Sequence, residues 1–575
     1  MTRCPTWRHR SSIPKLDDDG DTRKERSLVR SGTSGETTHP DLVNEDKSTT
    51  HVDRDDAEGL LNARTDPGSA AFGVMGAEAS SDLNWFKMLT TRVQDRAENS
   101  MRHQWWVLWS LLAGLFSLNF TFTVFIVELP KVATQFHTSI TVLSWTMIGP
   151  LLAYGIAAPM FGKAGDIFGH RRLYLFGLLG AMLSAILTAL APDVTMLLFA
   201  RTLDGVQGAV TGTASGALIN MAFRPAERVK AMGWWSLVGA GGPVLGVSLG
   251  SPIIQAFGWR TLFWVQLVLI VIAFAVVTVV LPRRRGAPEE SEATKQRAIK
   301  EFRETDWIGS WSLSFAIAAL MLGLSLAPTF GWTSWVSFVA LALTVLLFSN
   351  FVYRLNHVAH PLIPAHYFHQ RNFVMPMVLR AVANFAYFGA FFLFPLLMEK
   401  AYGYSIVHVG AIAIARPIVF AISSPVAGYV AIRIGERVSA VAGATFLAMS
   451  LVIFSLLQPS SGAWLIVIAL GLSGLGMGIA MPSSSSTMAN EVLPSEFGVM
   501  SAAQMVSVQV GEVAGIEVLV SIQQALARQR GLTHSHPGLA ILNTFHLPFQ
   551  VGAAVAIVGI VSACFFRPFD RSTTP

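Results

Sequence analysis

Charged side chains inside long apolar runs are the residues of this 575-residue chain that could do chemistry. Arg201 and Asp204 lie one helical turn apart in one such run, and Glu512 lies midway along another. A carboxyl group that is buried away from water binds a proton more readily and can carry one near neutral pH. These residues therefore favour proton transfer, or binding of a charged small molecule, within a membrane.

The run around Arg201 carries a polar stripe at helical spacing. At 100° per residue, its polar members fall within roughly 120° of one helical wheel; they are Arg201, Asp204, Gln207, Gly208, Thr211 and Ser215. Such a stripe cannot face lipid, so it must face other helices or a water-filled cavity. Two interpretations remain open for Asp204, namely a structural ion pair with Arg201 and a proton relay.

A second set of candidates lies in the C-terminal half of the chain. Glu512 is the best candidate for a carboxylate that carries a proton or binds substrate, whereas Glu517 lies about 140° away on the same predicted helix. Arg380 and Arg416 lie in two other apolar runs. Pairing of Glu512 with one of these arginines is the structural alternative to proton coupling.

Signatures of enzymes and metal sites are missing from the sequence. It has no phosphate-binding Walker loop, no nucleophile elbow and no HExxH pair, so we expect neither an enzyme nor an ATP-driven pump. We expect no disulfide, metal site or bound cofactor. The only cysteines are Cys4 and Cys564, and the closest histidines, His357, His360, His366 and His369, flank a loop broken by proline.

Composition and segment lengths place the candidates in a membrane protein. Hydrophobic residues make up 52% of the chain, charged residues only 14%, and the mean hydropathy is +0.49, whereas a soluble domain carries about 25% charged residues. Fourteen apolar segments approach the ~20 residues that cross a bilayer. They cover residues 105–128, 142–161, 173–191, 195–219, 231–256, 259–282, 306–326, 334–353, 373–398, 407–428, 438–458, 462–482, 498–522 and 549–567. We predict an all-α integral membrane protein.

Lysine and arginine in the connecting loops predict the orientation. Nineteen lie in one alternate set of loops and five in the other, so the positive-inside rule places the first set and both termini in the cytoplasm. This bias explains the basic pI of about 9.4 without a nucleic-acid partner. We expect a multi-pass protein of the plasma membrane.

The segments suggest five regions along the chain. Residues 1–103 form a polar tail, predicted to be disordered apart from a short interfacial helix. Residues 104–282 form a six-helix bundle, residues 283–372 hold cytoplasmic linkers and an inserted helix pair, and residues 373–567 form a second six-helix bundle. Residues 568–575 are a short cytoplasmic tail.

An internal repeat relates the two bundles. Pro159, Gly162, Gly169 and Arg171 recur 266 residues later as Pro425, Gly428, Gly435 and Arg437. Both stretches end the second helix of a six-helix set. Two repeated bundles around a central site are the architecture of alternating-access transporters.

Several motifs resemble the major facilitator superfamily, in its fourteen-helix (6 + 2 + 6) drug:proton antiporter branch. GKAGDIFGHRR, from Gly162 to Arg172, is similar to the family's loop between helices 2 and 3. RTLDG, which begins at Arg201, resembles an Arg-xx-Gln-Gly motif with Asp204 in place of Gln. GGPVLGV, which begins at Gly241, resembles the antiporter motif with Val247 in place of its last Gly. HPLIPAHYFHQRNF and EKAYGYS, which begin at His360 and Glu399, resemble the same branch.

The resemblance implies roles for two of these motifs. The loop motif forms a cytoplasmic latch that favours the outward-facing state, made here by Gly162, Asp166, Gly169, Arg171 and Arg172. Gly242, Pro243 and Gly246 form the hinge-like antiporter helix that goes with exchange, although an ordinary small-residue helix interface explains the same glycines. The family's carboxylate in helix 1 is absent, since Thr121 takes its place, so Glu128 and Glu399 join the candidates for coupling.

The resemblance and the buried charges together predict proton-coupled efflux of small amphipathic or drug-like compounds. Substrate, protons and membrane lipid are the expected partners, the proton gradient is the expected energy source, and we expect a monomer. An exporter of an anionic or lipid-like metabolite is the alternative, because arginines roughly balance the carboxylates. A transport-inactive receptor or scaffold is the rival from another functional class.

Overall fold

Long helices account for most of the computed structural model of this chain. It describes residues 103–121, 132–138, 140–143, 145–281, 296, 300–331, 334–358, 360–530 and 539–567, and these contain no strand. The predicted disordered tail and interfacial helix lie outside these residues, as do Glu128 and the segment 568–575.

Fourteen helices of 17 residues or more lie in the described part of the chain. In order they are α1 (His103–Asn119), α2 (Trp145–Phe168), α3 (His170–Ala189), α4 (Val194–Ala222), α5 (Arg228–Phe257), α6 (Trp259–Val280), α7 (Trp307–Phe330), α8 (Trp335–His357), α9 (Arg371–Lys400), α10 (Ala415–Ile434), α11 (Glu436–Ser455), α12 (Ala463–Ala489), α13 (Phe497–Gln529) and α14 (Leu539–Cys564). A short helix, Ile406–Ala413, precedes α10, and another, Ile140–Leu143, precedes α2.

Packing separates these helices into two bundles and a pair. Helices α1 to α6 pack on one another, and so do α9 to α14. The bundles meet where α2 packs on α13 and where α5 packs on α10. Helices α7 and α8 pack together, with α7 resting on α2 and α13. The all-α fold predicted from the apolar segments is confirmed.

Ten of the helices in the described residues are long and apolar enough to cross a membrane. They are α3, α6 to α9, α10 with the short helix before it, and α11 to α14. The other four belong to the first bundle, where α4 carries the polar stripe. Large apolar side chains that remain exposed, such as Phe176, Trp335 and Ile557, fit a surface covered by lipid.

Two tight turns occupy repeat-related positions. Gly169 joins α2 to α3 with φ of 94°, and Gly435 joins α10 to α11 with φ of 90°. These angles lie in the region that side-chain-bearing residues rarely adopt, so glycine is required at both turns. The repeated glycines thus make the same sharp connection in each bundle.

Two helix ends that were predicted at prolines are wrong. The segment predicted at 462–482 ends at Pro482, but α12 continues to Ala489 with this proline inside it. The segment predicted at 549–567 begins after Pro548, yet α14 begins at Leu539 and contains that residue. Proline is tolerated inside membrane helices because neighbouring groups satisfy the freed backbone. The extension of α12 places a run of four serines within a helix.

Candidate functional site

The polar stripe of α4 contains a compact charged network. Arg201 is 1% exposed, and its Nη1 donates to Asp204 Oδ2 at 2.7 Å. Gln207 Nε2 donates to Asp204 Oδ1 at 2.7 Å, so both carboxylate oxygens have a partner. The guanidinium also lies over the ring of Phe263 in α6, 5.8 Å from its centroid. The positive charge of Arg201 is therefore compensated inside its own helix.

Tyr154 closes the stripe from the side of α2. A Cβ atom placed on Gly208 would lie 3.3 Å from the Tyr154 ring, and one placed on Gly212 would lie 2.4 Å from its hydroxyl. These glycines allow the aromatic side chain to lie directly against α4. Tyr154 also lies within electrostatic range of Arg380, which belongs to the other bundle.

Arg380 of α9 lies among neutral groups. The side chain is 2% exposed, and Nη1 donates to Ser485 Oγ at 2.7 Å and to Ser484 Oγ at 3.2 Å. Ser485 Oγ in turn donates to Gln504 Oε1 of α13 at 3.1 Å. Arg380 forms no ion pair with a carboxylate of the described residues, and its Nε has no hydrogen-bond partner among them.

The run of four serines around Ser484 holds charged side chains of neighbouring helices. The structure places it inside α12, where Ser484 and Ser485 hold the guanidinium of Arg380. Ser486 and Thr487, on another side of the helix, donate to the carboxylate of Glu436. The run therefore supports two charged side chains and does not cap α12.

Arg416 of α10 is held by aromatic rings of α9. Its Cζ lies 3.4 Å from the ring centroid of Tyr387 and 5.4 Å from that of Phe391, and Nη2 donates to the Tyr387 carbonyl oxygen. Cation–π contacts of this kind stabilise a desolvated guanidinium. Neither Arg416 nor Arg380 is paired with Glu512, so the predicted structural alternative for that carboxylate is wrong for the conformation described.

The two glutamates of α13 have different surroundings. Glu512 is surrounded by protein, and its carboxylate has no hydrogen-bond or ion-pair partner among the described residues. Glu517 accepts a hydrogen bond from Ser325 of α7 and so faces the inserted pair. Close packing flanks Glu512, because a Cβ on Gly511 would lie 2.0 Å from the Ala381 carbonyl oxygen of α9. Glu512 is therefore the unpaired carboxylate of this helix.

Asp166 links the two bundles by capping α13. Its Oδ1 accepts from the backbone N–H of Gly498 at 2.8 Å, and its Oδ2 accepts from that of Val499 at 3.0 Å. These N–H groups belong to the first turn of α13, where no side chain of the preceding segment forms a cap. A carboxylate at a helix N-terminus satisfies these donors and is favoured by the helix dipole.

Asp166 is buried beside a histidine of α3. Its carboxylate is 2% exposed, and His170 Nε2 lies 3.1 Å from Oδ1. Arg171 Nη2 instead donates to the Thr278 carbonyl oxygen of α6 at 3.1 Å. The described contact across the bundles is thus made by Asp166 and the first turn of α13. Arg172 lies on the neighbouring first turn of α3.

Close backbone contact accompanies this cap. A Cβ on Gly162 would lie 2.6 Å from the Gly498 carbonyl oxygen and 2.7 Å from Ala502 Cβ. The repeat-related glycine, Gly428 of α10, approaches α5 in the same way, since its Cβ would lie 2.8 Å from the Val229 carbonyl oxygen. Both contacts require a residue without a side chain.

The predicted antiporter helix is α5. Gly242 packs on α1, because a Cβ there would lie 2.9 Å from Asn119 Cβ. Pro243 and Gly246 lie within the same helix, but the structure describes only their backbone. Closer to the start of α5, Ser424 Oγ of α10 donates to the Gly233 carbonyl oxygen at 3.0 Å.

Two further contacts hold the same end of the molecule and were missed in the sequence. Arg228, at the start of α5, donates through Nη1 to the Ala489 carbonyl oxygen at 2.8 Å and to Asn490 Oδ1 at 3.0 Å, which joins it to the end of α12. Tyr367, in the loop before α9, donates its hydroxyl proton to the Glu496 carboxylate. Burial and this hydrogen bond raise the pKa of the Tyr367 phenol to about 12.

The described residues contain no group of three or more histidine, cysteine, aspartate or glutamate side chains that could hold a metal ion. The charged groups instead form an inner set on α4, α9, α10 and α13 and an end set around Asp166. Two helical bundles with buried charges between them, and close glycine contacts at one end, define a membrane transporter.

Comparison with known proteins identifies the family. The family model of the Major Facilitator Superfamily matches residues 110–516 and 377–575, and the chain belongs to this family of transporters. The tetracenomycin C resistance and export protein of Streptomyces glaucescens is 27% identical over 415 residues, which cover 72% of this chain and 75% of that protein. The multidrug resistance protein Stp of Mycobacterium tuberculosis (strain CDC 1551 / Oshkosh) is also 27% identical, over 419 residues that cover 72% and 74%.

A solved structure shares the fold. The human organic anion transporter MFSD10 aligns with a TM-score of 0.55 and 15% sequence identity, covering 80% of this chain and 99% of that chain. At this identity the likeness concerns the fold alone.

Proposed function

We propose that this chain exports small amphipathic, drug-like compounds in exchange for protons, by alternating access between its two bundles. Two relatives, each aligned with this chain over about three quarters of its own length, are named as drug-resistance and export proteins. The unpaired carboxylate of Glu512, within the second bundle, is the observation that carries the coupling step.

The conformation described corresponds to an outward-facing or occluded state. Asp166 and Gly162 meet the start of α13, and Arg228 meets the end of α12. The excess of lysine and arginine in the adjoining loops supports a cytoplasmic location for these helix ends. Because the bundles are joined at this end, a substrate between them is separated from the cytoplasm. Opening the end requires loss of the Asp166 cap.

Glu512 supplies a reason for exchange. Its carboxylate has no countercharge nearby, so it is more stable in a protein environment when a proton is bound to one of its oxygens. A proton that enters from the outside neutralises Glu512, and movement of the bundles then exposes it to the cytoplasm, where the proton leaves. Asp204 is already held by Arg201 and Gln207, which favours its structural role over a relay.

Substrate-induced proton release tests the coupling. We expect purified Glu512→Gln protein to bind a transported dye but to release far fewer protons than wild type in weakly buffered solution containing a pH indicator. In proteoliposomes this variant should exchange dye across the membrane without concentrating it. Glu304→Gln removes a solvent-exposed carboxylate and serves as the control, with wild-type proton release.

The same assay distinguishes the other candidates. Asp204→Asn should retain most of the proton release, because its carboxylate already has fixed partners. If Glu512→Gln and Asp204→Asn both release protons as wild type does, neither carries the coupling proton. Glu517, Glu399 and Glu128 would then be tested in turn.

Two alternatives remain distinct from drug efflux. Export of an anionic or lipid-like metabolite is favoured by the buried arginines without carboxylate partners. A transport-inactive receptor or scaffold would need the N-terminal tail, so deletion of residues 1–80 should leave export unchanged if the chain is a transporter. We further propose a monomer of the fourteen-helix branch in the plasma membrane, with both termini in the cytoplasm and no bound cofactor.

A further inference from the structure

Arg380 is a buried cation without a fixed countercharge. Transfer of a guanidinium from water into a protein interior is costly unless a negative group compensates it. Arg201 in the first bundle has such a group in Asp204, whereas the described partners of Arg380 are serine hydroxyls and a carbonyl oxygen. The two arginines are almost equally buried, so the difference lies in their partners.

Buried donors without acceptors lie on Arg380 and on the stretch of α13 that is linked to it through Ser485. The Nε of Arg380, the Nε2 of Gln504 and the Oγ of Ser501 are buried, and none has a hydrogen-bond partner among the described residues. Gln504 is connected to Arg380 through Ser485, and Ser501 lies one turn before Gln504 on α13. A buried donor that lacks an acceptor is destabilising by about 1–3 kcal/mol. Unpartnered donors on Arg380 itself, on Gln504 and one turn away on α13 match a ligand that offers negative oxygen atoms.

The cluster lies where the two bundles meet. Ser501 faces α4, since a Cβ on Gly216 would lie 2.9 Å from Ser501 Oγ. Tyr154 of α2 is within electrostatic range of Arg380. Arg380 and Gln504 belong to the second bundle, whereas Gly216 and Tyr154 belong to the first. Movement of one bundle against the other would therefore uncover the donors and cover them again.

We propose that Arg380, with Gln504 and Ser501, binds an anionic group (a carboxylate, sulfonate or phenolate) of the transported organic compound. The proposal rests on the transport function proposed above and specifies its substrate class. Arg416 does not share this role, because its guanidinium is held between α9 and α10 by the Tyr387 ring and carbonyl oxygen. The substrate anion supplies the countercharge that Arg201 obtains from Asp204.

Two dyes of similar skeleton and opposite charge test the proposal. Fluorescein is anionic and rhodamine 6G is cationic, and both are xanthenes whose binding to full-length protein in nanodiscs is measurable by fluorescence anisotropy. We expect wild type to bind fluorescein and Arg380→Gln to bind it at least tenfold more weakly, a loss of about 1.4 kcal/mol. Arg380→Lys keeps the charge and should retain part of the affinity. Arg433→Gln removes an exposed positive charge and should bind fluorescein as wild type does.

Each other outcome of the binding test counts against the proposal. Failure of wild type to bind fluorescein, or binding by Arg380→Gln within threefold of wild type, overturns it. If Arg380→Gln and Arg380→Lys both weaken the binding of the two dyes equally, the arginine has a structural role, and this result also overturns the proposal. Size-exclusion profiles and thermal midpoints of both variants show whether the protein has remained folded.

Uptake assays separate this proposal from the transport function itself. In one outcome, fluorescein binds the protein without being carried into inside-out vesicles, and inorganic phosphate and chloride each displace it. That combined result identifies an inorganic-anion site and overturns the substrate assignment. If the vesicles concentrate rhodamine 6G in a proton gradient while fluorescein neither binds nor moves, the efflux function stands and the anion site fails. If neither dye is transported by wild type, the efflux function fails as well.

Discussion

Two glycine contacts between the bundles have the same backbone geometry and different chemistry. Gly162 of α2 approaches α13, and Gly428 of α10 approaches α5, each closely enough that a Cβ atom would overlap a backbone carbonyl oxygen. In the first contact Asp166 accepts two N–H groups of α13. The equivalent position of the second contact, 266 residues later, is Ile432, whose hydrocarbon side chain offers no acceptor for backbone N–H groups.

This difference distinguishes the role of the glycines, which is close packing of the bundles, from the role of Asp166, which is to stabilise the closed state. Both contacts need glycine because the helix backbones touch, so both determine how closely the bundles can join. Only the first adds a charged hydrogen bond that exists while this end is closed. The free energy of the closed state therefore depends on the Asp166 carboxylate together with the hydrogen bonds of Arg228 to the end of α12, although the fold is repeated.

The buried arginines also differ between the two bundles in how their charges are compensated. Arg201 in the first bundle has its own carboxylate, whereas Arg380 and Arg416 in the second have hydroxyls, a carbonyl oxygen or aromatic rings. The buried arginine of the first bundle, Arg201, is therefore compensated in the conformation described. The second bundle holds both the unpaired cation and the unpaired carboxylate, so it is the half that we expect to bind substrate and protons.

Substitution of the two contact glycines by a large residue should have the largest effect on transport. Gly162→Leu and Gly428→Leu each place a side chain against backbone atoms of the other bundle, and overpacking of this kind costs about 1–3 kcal/mol or more. We expect export from cells to fall to background in both variants at matched expression. Gly239→Ala is the control, since no atom lies within 4 Å of a Cβ there, and it should transport normally. Normal export by both leucine variants would contradict the idea that these contacts must close.

Removing the charge of Asp166 should have a smaller effect and should distinguish the two contacts. Asp166→Asn keeps one acceptor oxygen but loses the charged hydrogen bonds, a change of about 1–1.5 kcal/mol. We expect about tenfold slower export with an unchanged thermal midpoint. Adding Ile432→Asp to this variant places a carboxylate near the start of α5. The export rate of the double variant should be about threefold higher than that of Asp166→Asn. Normal efflux by Asp166→Asn would show that the cap does not control the cycle.

The smallest expected effect concerns Tyr367, which supports the segment before α13 without crossing between the bundles. Tyr367→Phe should slow export less than threefold, because only two hydrogen bonds are lost, the one that the hydroxyl donates to Glu496 and the one that it accepts from the Leu493 N–H. The raised pKa predicts a pH dependence: the folded state binds the phenolic proton more tightly than the unfolded state, so this contribution to stability is complete below about pH 10. It is lost as the pH rises towards 12.

Thermal midpoints at several pH values check this last prediction. Between pH 9 and pH 11, wild type should lose more stability than Tyr367→Phe, whose side chain does not titrate. Parallel curves for the two proteins would show that the phenol does not contribute in this way.

Much of the fold follows from local properties of the sequence. Apolar segments of membrane-spanning length, basic loops and the repeated glycines were sufficient to predict helices in two related sets. Helix ends near Pro482 and Pro548 were not predictable in this way, because tolerance of proline depends on neighbouring helices that a single segment does not reveal.

The sequence also singled out the ionisable residues, since a charge in an apolar run is conspicuous. Arg201, Asp204, Arg380, Arg416 and Glu512 were identified from their surroundings in the chain, and Asp166 from the motif that resembles the family's loop. Their partners were identified only in part. The pairing of Arg201 with Asp204 was accessible because the two lie one turn apart on one helix, where spacing determines proximity.

Partners on different helices were decided by tertiary structure alone. Ser485 and Gln504 lie more than a hundred residues from Arg380, and Gly498 lies 332 residues from Asp166. No periodicity connects such positions, because their distance depends on how the bundles pack and on which end of the molecule is closed. Sequence therefore determined which charges this protein buries, and the packing of its helices determined which of them are compensated.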